Sequence, residues 1–362
     1  MRGAGSIGDM AEDATYEVNA DTAGQTLAAA LRGWEQNLSW AAAKRLIQTR
    51  RVEVNGVLCL NDARRLSADD RVTVLQQPRP PVPSAQSVRV LHVDPDLIVI
   101  DKPAGIITLR RDEEAQFTDE RKALQPTLDE LIPQLLPGGA PKMGRRPGRK
   151  GTQKGATLYP VHRLDRDTSG LMIFALSPRA RDALIGMFSR HEVRRKYIAI
   201  VHGHLKGRHR IESSIIRDRG DGLRGSLERI QELPPDAPRP APGSPDQSRA
   251  QRAVTGVIAR EHIGQAFTIV ECELETGRTH QIRIHLSELG HMLCGEKLYT
   301  RAQAGAAVRE DACGAPRQAL HSAELRLVHP IIGRPLEFAS PLPPDLSRWL
   351  ERLRREHGPR SA

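Results

Sequence analysis

The run Val161-His162-Arg163-Leu164-Asp165-Arg166-Asp167-Thr168-Ser169-Gly170 sets two carboxylates among cations and turn formers, directly ahead of the apolar stretch 171–176. A carboxylate on a loop that feeds a strand is well placed to meet a substrate. There it can stabilise, bond to, or take a proton from a centre that builds positive charge. A loop aspartate is more commonly a turn former, and Asp167, beside Thr168-Ser169-Gly170, suits that role. Asp165 is therefore the candidate for chemistry. Two further segments offer it company. Arg194-Arg195-Lys196-Tyr197 places one of only four tyrosines among three cations, at the opening of a strand, with a core tyrosine as the alternative reading. Thr276-Gly277-Arg278-Thr279-His280-Gln281-Ile282-Arg283 reads as a strand end, a glycine turn, a capping Thr279 and a short helix. Arg278 then precedes the first turn, and Arg283 lies one turn in, able to face a cleft. A fourth segment, Arg317-Gln318-Ala319-Leu320-His321, precedes the last sheet strand.

The chain around these residues is long enough for about two domains. Its 362 residues are 39% hydrophobic and 27% charged, with 54 Lys and Arg against 44 Asp and Glu, a net charge of +10. That balance favours nucleic acid or an anionic membrane as partner. The membrane reading is weak, since no apolar run approaches the roughly 20 residues that span a bilayer. Asp9, Glu12, Asp13 and Glu17 near the start argue against a signal peptide and for the cytoplasm. Cys59, Cys272, Cys294 and Cys313 are scattered, without a C-x-x-C pair, and read as reduced thiols. Only His291 and Cys294 have ligand-like spacing, and His202, His204 and His209 fit surface or phosphate contacts better than a metal patch. No metal is expected.

Residues 1–22 read as a loose tail and 23–77 as a small α+β unit. Its first helix carries Leu27, Ala30 and Leu31 on one face; its second starts at Ser39 and turns Ala43, Leu46 and Ile47 inward. Val52 and Val54 then alternate into Asn55-Gly56, a strong hairpin signal, and 71–74 closes the unit. Lys44, Arg45, Arg50 and Arg51 cluster where a phosphate backbone could dock, although a solvated basic face is the plainer reading. The proline-rich 78–87 is a linker. From 88 to 346, short strands and helices without regular alternation predict α+β around a central, mainly antiparallel mixed sheet flanked by helices and loops. Residues 111–156 and 217–250 interrupt it as mobile insertions, the first with a basic run from Lys142 to Lys154, and 347–362 forms a C-terminal tail.

The segments HRLDRDTSG, KYIAIVHG, TGRTHQIRIH and LHSAELRLVHP, in this order and with IVIDKPAGI ahead of them, resemble the RluA-type family of pseudouridine synthases over about 88–346. Residues Ser39, Ala43, Leu46, Ile47, Val54-Asn55-Gly56, Leu66, Asp70 and Val72 resemble an S-four type RNA-binding domain, an N-terminal companion in that family. Arg50 or Arg51 stands where a glycine is common, and Glu296 where the family has aspartate. The resemblance implies the pseudouridine synthase fold and a cofactor-free isomerisation of uridine in RNA. It implies Asp165 as catalytic carboxylate, Tyr197 as the residue that stacks on the base and Arg283 as the partner of Asp165. Arg163 and Arg278 would contact the RNA and His162 would order the loop. The expected partner is ribosomal RNA of the large subunit, with transfer RNA behind it, and the expected state is a monomer. A catalytically silent RNA-binding or ribosome-assembly factor is the alternative, and a uracil-releasing N-glycosidase a third reading. The joint presence of Asp165, Tyr197 and Arg283 favours the isomerase.

Overall fold

Hydroxyls start the two helices of the N-terminal unit in the computed structural model, which describes residues 13–35, 38–68, 70–79, 83–110, 114, 116–136, 158–231 and 249–358. Thr26 accepts from the Ala29 N–H and Ser39 from the Ala42 N–H, opening α1 (Leu27–Trp34) and α2 (Trp40–Gln48). α1 buries Leu27, Ala28, Ala30 and Leu31, and α2 buries Ala43, Leu46 and Ile47. Both pack on a sheet of β1 (Ala14–Glu17), β2 (Val52–Val54), β3 (Val57–Leu58) and β4 (Arg71–Val74), in the order β1-β4-β2-β3. Asn55 and Gly56, at φ 54° and 69°, make the two-residue turn between β2 and β3. The expected loose tail is corrected here: Ala14–Glu17 pairs with β4, and Tyr16 stacks on Trp34 at 4.9 Å. Arg50 takes φ 64°, so an arginine occupies the left-handed position that favours glycine.

Contacts divide the chain into residues 1–82 with 116–125, and residues 83–115 with 126–362. Segment 116–125, with α3 (Asp119–Leu124), thus belongs to the first unit rather than to an insertion of the second. The second unit is an eleven-stranded sheet. Its strands are β5 (Arg89–Val93), β6 (Leu97–Lys102), β7 (Tyr159–Pro160), β8 (Ser169–Ala175), β9 (Arg194–His202) and β10 (Arg208–Ile216). β11 (Gly225–Ser226), β12 (Gln251–Ile263), β13 (Phe267–Leu274), β14 (Leu320–Val328) and β15 (Pro335–Ala339) complete it. The order is β11-β10-β12-β13-β9-β14-β8-β6-β5, with β15 on β14 and β7 on β8. Only β14 and β8 run parallel among its named pairs, so the sheet is mainly antiparallel. Its central strands are apolar on both faces, as in the fully buried β8.

Two expected insertions contain folded segments. In the first, α4 (Leu128–Leu131) opens on a Glu130 carboxylate that accepts from the Thr127 N–H, and it buries Leu128 and Leu131, with Ile132 buried just beyond it. In the second, β11 leads into α6 (Leu227–Gln231), after α5 (Pro178–Ser189) and before α7 (Gln281–Glu288). The basic run from Lys142 to Lys154 lies outside the described residues. The C-terminal tail is likewise corrected: α8 (Pro344–His357) buries Leu346, Trp349, Leu350 and Leu353 against β9 and β13 residues Ile200, Phe267 and Ile269. Four apolar positions at helical spacing in an otherwise charged segment account for the packing. No helix among the described residues is long and apolar enough to cross a membrane.

Candidate active site

The sheet order brings the candidate residues together. β8 and β14 lie side by side, with His321 opposite Ser169 and Ser322 opposite Gly170, and on the other side of β14 Ser322 stands opposite Tyr197 of β9. Gly170, at φ 110°, permits the approach, since a Cβ there would lie 2.2 Å from the Ser322 carbonyl oxygen. The loop 163–168 therefore delivers Asp165 beside Tyr197. α7, entered from the end of β13, brings Arg283 from the opposite wall. All three line one cleft of about 390 Å³, together with Arg163, Arg278 and His280.

The loop is held by its own carbonyls. Thr108 Oγ1 donates to Leu164 O, and the Thr168 N–H to Asp165 O, at 2.8 and 3.2 Å. The Gly105 N–H and Lys102 Nζ both reach Arg166 O, at 2.8 and 2.9 Å, while Arg317 reaches Asp167 O at 2.9 Å. Lys102 Nζ also donates to Thr168 O and Pro103 O, at 2.8 and 3.1 Å. Burial draws the lysine pKa down to about 7, against the pull of Asp167. Its three carbonyl partners nevertheless match all three N–H bonds of an ammonium. His162 Nε2 accepts from the Ile173 N–H at 3.0 Å, and burial holds its pKa near 3, so the ring is neutral and ties the loop to β8. A loop satisfied at every carbonyl from 164 to 168 presents the Asp165 carboxylate already in place.

Arg283 bridges two carboxylates, the part-buried Asp165 and the buried Glu296. Its Nη1 lies 3.1 Å from Asp165 Oδ2, and its Nε and Nη2 form a fork with Glu296, at 2.8 and 2.6 Å. Glu296 also accepts from the N–H groups of Lys297, Leu298 and Tyr299. Burial acts to raise the Asp165 pKa; the charges of His280 and Arg283, the Arg283 hydrogen bond and the charge of Arg163 overcome it and hold the group below the usual carboxylate range. Burial pushes His280 itself down to about 4. It is therefore neutral at pH 7, where its charge drops out, and the charge and hydrogen bond of Arg283, with the charge of Arg163, keep Asp165 ionised. His280 Nε2 lies 3.7 Å from Asp165 Oδ1, and its Nδ1 lies 2.7 Å from the Tyr299 hydroxyl. The Tyr299 ring lies beneath the Arg283 guanidinium at 5.3 Å.

Several details depart from the sequence reading. Tyr197 sits in the middle of β9, not at its opening, and is only 4% exposed. Thr279 does not cap α7; the N-cap is His280 in a left-handed conformation, and the Gln281 side chain accepts from the Arg278 N–H and Thr276 hydroxyl instead. Asp167, expected to make a turn hydrogen bond, instead pairs its carboxylate with the side chain of its neighbour Arg166, at 3.0 Å. Arg163 and Arg278 are exposed at the cleft, Arg278 Nε donating to Arg252 O. Lys44, Arg45, Arg50 and Arg51 lie in the first unit. Lys44 and Arg45 are exposed, Lys44 lying 3.6 Å from Asp62, whereas Arg50 and Arg51 donate to the backbone at Arg79 and Leu75. Glu296, His280, Tyr299 and Lys102 were not expected in the site. Lys102 had a signal, a cation at the end of a strand whose residues 97–100 are all apolar. Glu296 had one too, an acid kept where the family has an acid.

Residues 96–288 match the RNA pseudouridylate synthase family. The chain is 30% identical over 301 residues to ribosomal large subunit pseudouridine synthase D of Zymomonas mobilis, covering 82% of this chain and 84% of that one. It is 32% identical over 288 residues to the protein of the same name from Xanthomonas campestris, covering 78% and 74%. Human RNA pseudouridylate synthase domain containing 4 shares the fold at a TM-score of 0.52 and 22% identity, over 75% of this chain and 95% of that structure. The chain belongs to the RNA pseudouridylate synthase family and is an isomerase that converts uridine to pseudouridine in RNA.

Proposed function

We propose that the enzyme acts in the cytoplasm on uridines of large-subunit ribosomal RNA, with Asp165 as its catalytic carboxylate. One observation carries the assignment: Asp165 is the carboxylate in the cleft that is fixed by a loop with satisfied carbonyls and kept ionised by Arg283 at 3.1 Å. Glycosidic cleavage breaks the bond from ribose C1′ to uracil N1 and leaves positive charge on the ribose. A part-buried, ionised carboxylate stabilises that charge, whether it adds to the sugar or takes a proton from it. The uracil then turns, C5 bonds to C1′, the C5 proton leaves and N1 gains a proton. Nothing is oxidised and no atoms are gained overall, so the balance calls for no redox partner.

Tyr197 supplies the face on which the base rests while detached, a task suited to an aromatic ring once a base has left its stack. Arg163 and Arg278, exposed at the rim, contact the opened RNA. The names of the relatives and the net charge of +10 support a ribosomal RNA substrate. Lys44 and Arg45, exposed on α2 of an S-four-like unit, supply additional phosphate contacts.

Loss of tritium from C5-labelled uridine tests this reading, because the C5 hydrogen leaves only when C5 joins the ribose. Large-subunit transcripts should release tritium and transfer RNA should not. Asp165→Asn should abolish release with RNA affinity nearly unchanged. Normal release by that variant would refute the role of Asp165, and equal release from transfer RNA would refute the substrate.

A further inference from the structure

We infer that His202, Cys294 and Cys313 form a zinc site that pins the loop carrying Glu296. A ring nitrogen of His202 and the two sulfurs lie within 4.8 Å of one another. Bonds of 2.0–2.3 Å radiating tetrahedrally from zinc place its ligand atoms roughly 3.3–3.8 Å apart, so a contraction of at most about 1–1.5 Å closes the set, with a water on the exposed side of His202 as the fourth ligand. The residues come from three segments distant in sequence: the end of β9, the loop after α7 and the loop before β14. That dispersion explains why no motif announces the site. His291, the residue with ligand-like spacing to Cys294, instead places Nδ1 2.9 Å from the His202 carbonyl.

The backbone fixes each ligand without help from the sulfurs. The Cys294 N–H donates to Ile200 O and its carbonyl accepts from the Ala319 N–H, at 2.9 and 2.8 Å; the His202 N–H donates to Met292 O at 2.9 Å. Cys313 is held by its carbonyl, which accepts from Trp349 Nε1 of α8 at 2.9 Å. Asp311 Oδ1 lies 2.9 Å from His202 Nε2, and Asp311 Oδ2 accepts from the Gly295 N–H at 2.6 Å. A carboxylate on one ring nitrogen is the usual companion of a ligating histidine, where it sets the tautomer and the ring orientation.

The plainer reading is a pair of reduced thiols in an apolar core, and Cys294 is indeed fully buried beside Phe267 and Trp349. Apolar packing gives no reason for a histidine and its carboxylate to converge on those thiols. Zinc does: two thiolates, a neutral imidazole and a divalent ion sum to zero charge, which a buried site can hold. Thiolate with imidazole also favours zinc over the hard cations that prefer oxygen. The His202 side chain is 25% exposed, leaving the ion a way in.

The position gives the site a purpose. Two residues beyond Cys294, Glu296 forks onto Arg283, which holds Asp165. Between them, Gly295 sits at φ 76° with the Arg317 carbonyl 2.0 Å from where a Cβ would be, so the turn is tightly constrained. Zinc at Cys294 would fix the start of this turn, and Cys313 and His202 would lock it to the loop before β14 and the end of β9. The metal assignment is independent of the role of Asp165; only the effect on turnover rests on it.

The test is the metal content and spectrum of the full chain. The purified protein should carry about one zinc per chain by mass spectrometry. Cys313→Ser and His202→Gln should lose at least about nine-tenths of it, while Cys59→Ser, in the first unit, keeps it. Chain stripped by chelator and given Co²⁺ alone should show the thiolate-to-cobalt band and the intense visible bands of a tetrahedral site. This readout needs no variant to fold. The stripped chain should lose turnover and regain it with Zn²⁺, whereas Asp165→Asn should remain inactive and still hold its zinc. Chain without zinc and with the spectrum of aqueous cobalt would overturn the proposal, as would a Cys294–Cys313 disulfide in the active protein.

Discussion

Replacing Arg283 by methionine removes the one guanidinium that both Asp165 and Glu296 share. Their side chains are 16% and 1% exposed, so the variant leaves two carboxylates without their shared cation in a site that water screens poorly. Breaking a buried pair by deleting one partner costs about 3–5 kcal/mol, chiefly because the charge left behind stays desolvated. The cost should depend on pH. In the unsubstituted chain both carboxylates titrate below their ordinary values, so their contribution is present above about pH 4 and is lost as pH falls through their folded pKa values. Without Arg283, burial, which now acts unopposed by that cation, raises them. A raised carboxylate favours the folded state below its unfolded pKa and loses that contribution as pH climbs. The stability gap between variant and parent should therefore be widest at neutral pH and narrow towards about pH 4. Urea midpoints measured at pH 7.5 and at pH 4.5 check this, and tritium release checks its consequence. Turnover at neutral pH should fall by about 10²–10³-fold, as when one preorganised electrostatic partner is removed, and its acid limb should move to higher pH. An equal stability gap at both pH values, or turnover within about threefold of the parent, would refute the coupling of Asp165 to Arg283.

Tyr197→Leu should lower turnover by about 10–100-fold through loss of roughly 1–3 kcal/mol of base stacking, while Tyr197→Phe keeps most of it; single-turnover tritium release on a transcript separates the two. Trp349→Ala should destabilise the second unit by about 3–5 kcal/mol, read as a fall in its thermal midpoint, because this ring anchors α8 in the core and is 3% exposed.

What the sequence discloses about this protein follows the range of the interactions. Ser39, the apolar triplet Ala43, Leu46 and Ile47, and the Asn55-Gly56 turn announce themselves because capping, helical periodicity and turn chemistry act within a few residues. α8 is local too, yet its four buried residues are spread among seven charged ones between 344 and 357, and the segment reads as a solvated tail. The strand β12 is hidden differently: thirteen residues with Gly256 and several charges show no clean alternation, because the strand is exposed at Gln251 and Arg252, buried at 253–255 and largely half-exposed beyond, with a register shift between Ala259 and Glu261.

The active site tests the limit more sharply. Asp165 and Arg283 can be named from their segments, but their separation of 118 positions conceals which atom meets which. Lys102 lies 64 residues from one of the carbonyls it holds, and its role depends on β6 pairing with β8, a fact of sheet order. Glu296 is the instructive case. It looks like a neutral exchange of one acid for another, yet its longer side chain forks onto Arg283 and leaves only Nη1 for Asp165. The arginine is thus oriented by the residue that seems incidental, and Asp165 receives a cation already aimed. Glu296→Gln should therefore impair turnover with Asp165 and Arg283 both in place; an active Gln variant would mean that Arg283 finds Asp165 without its brace.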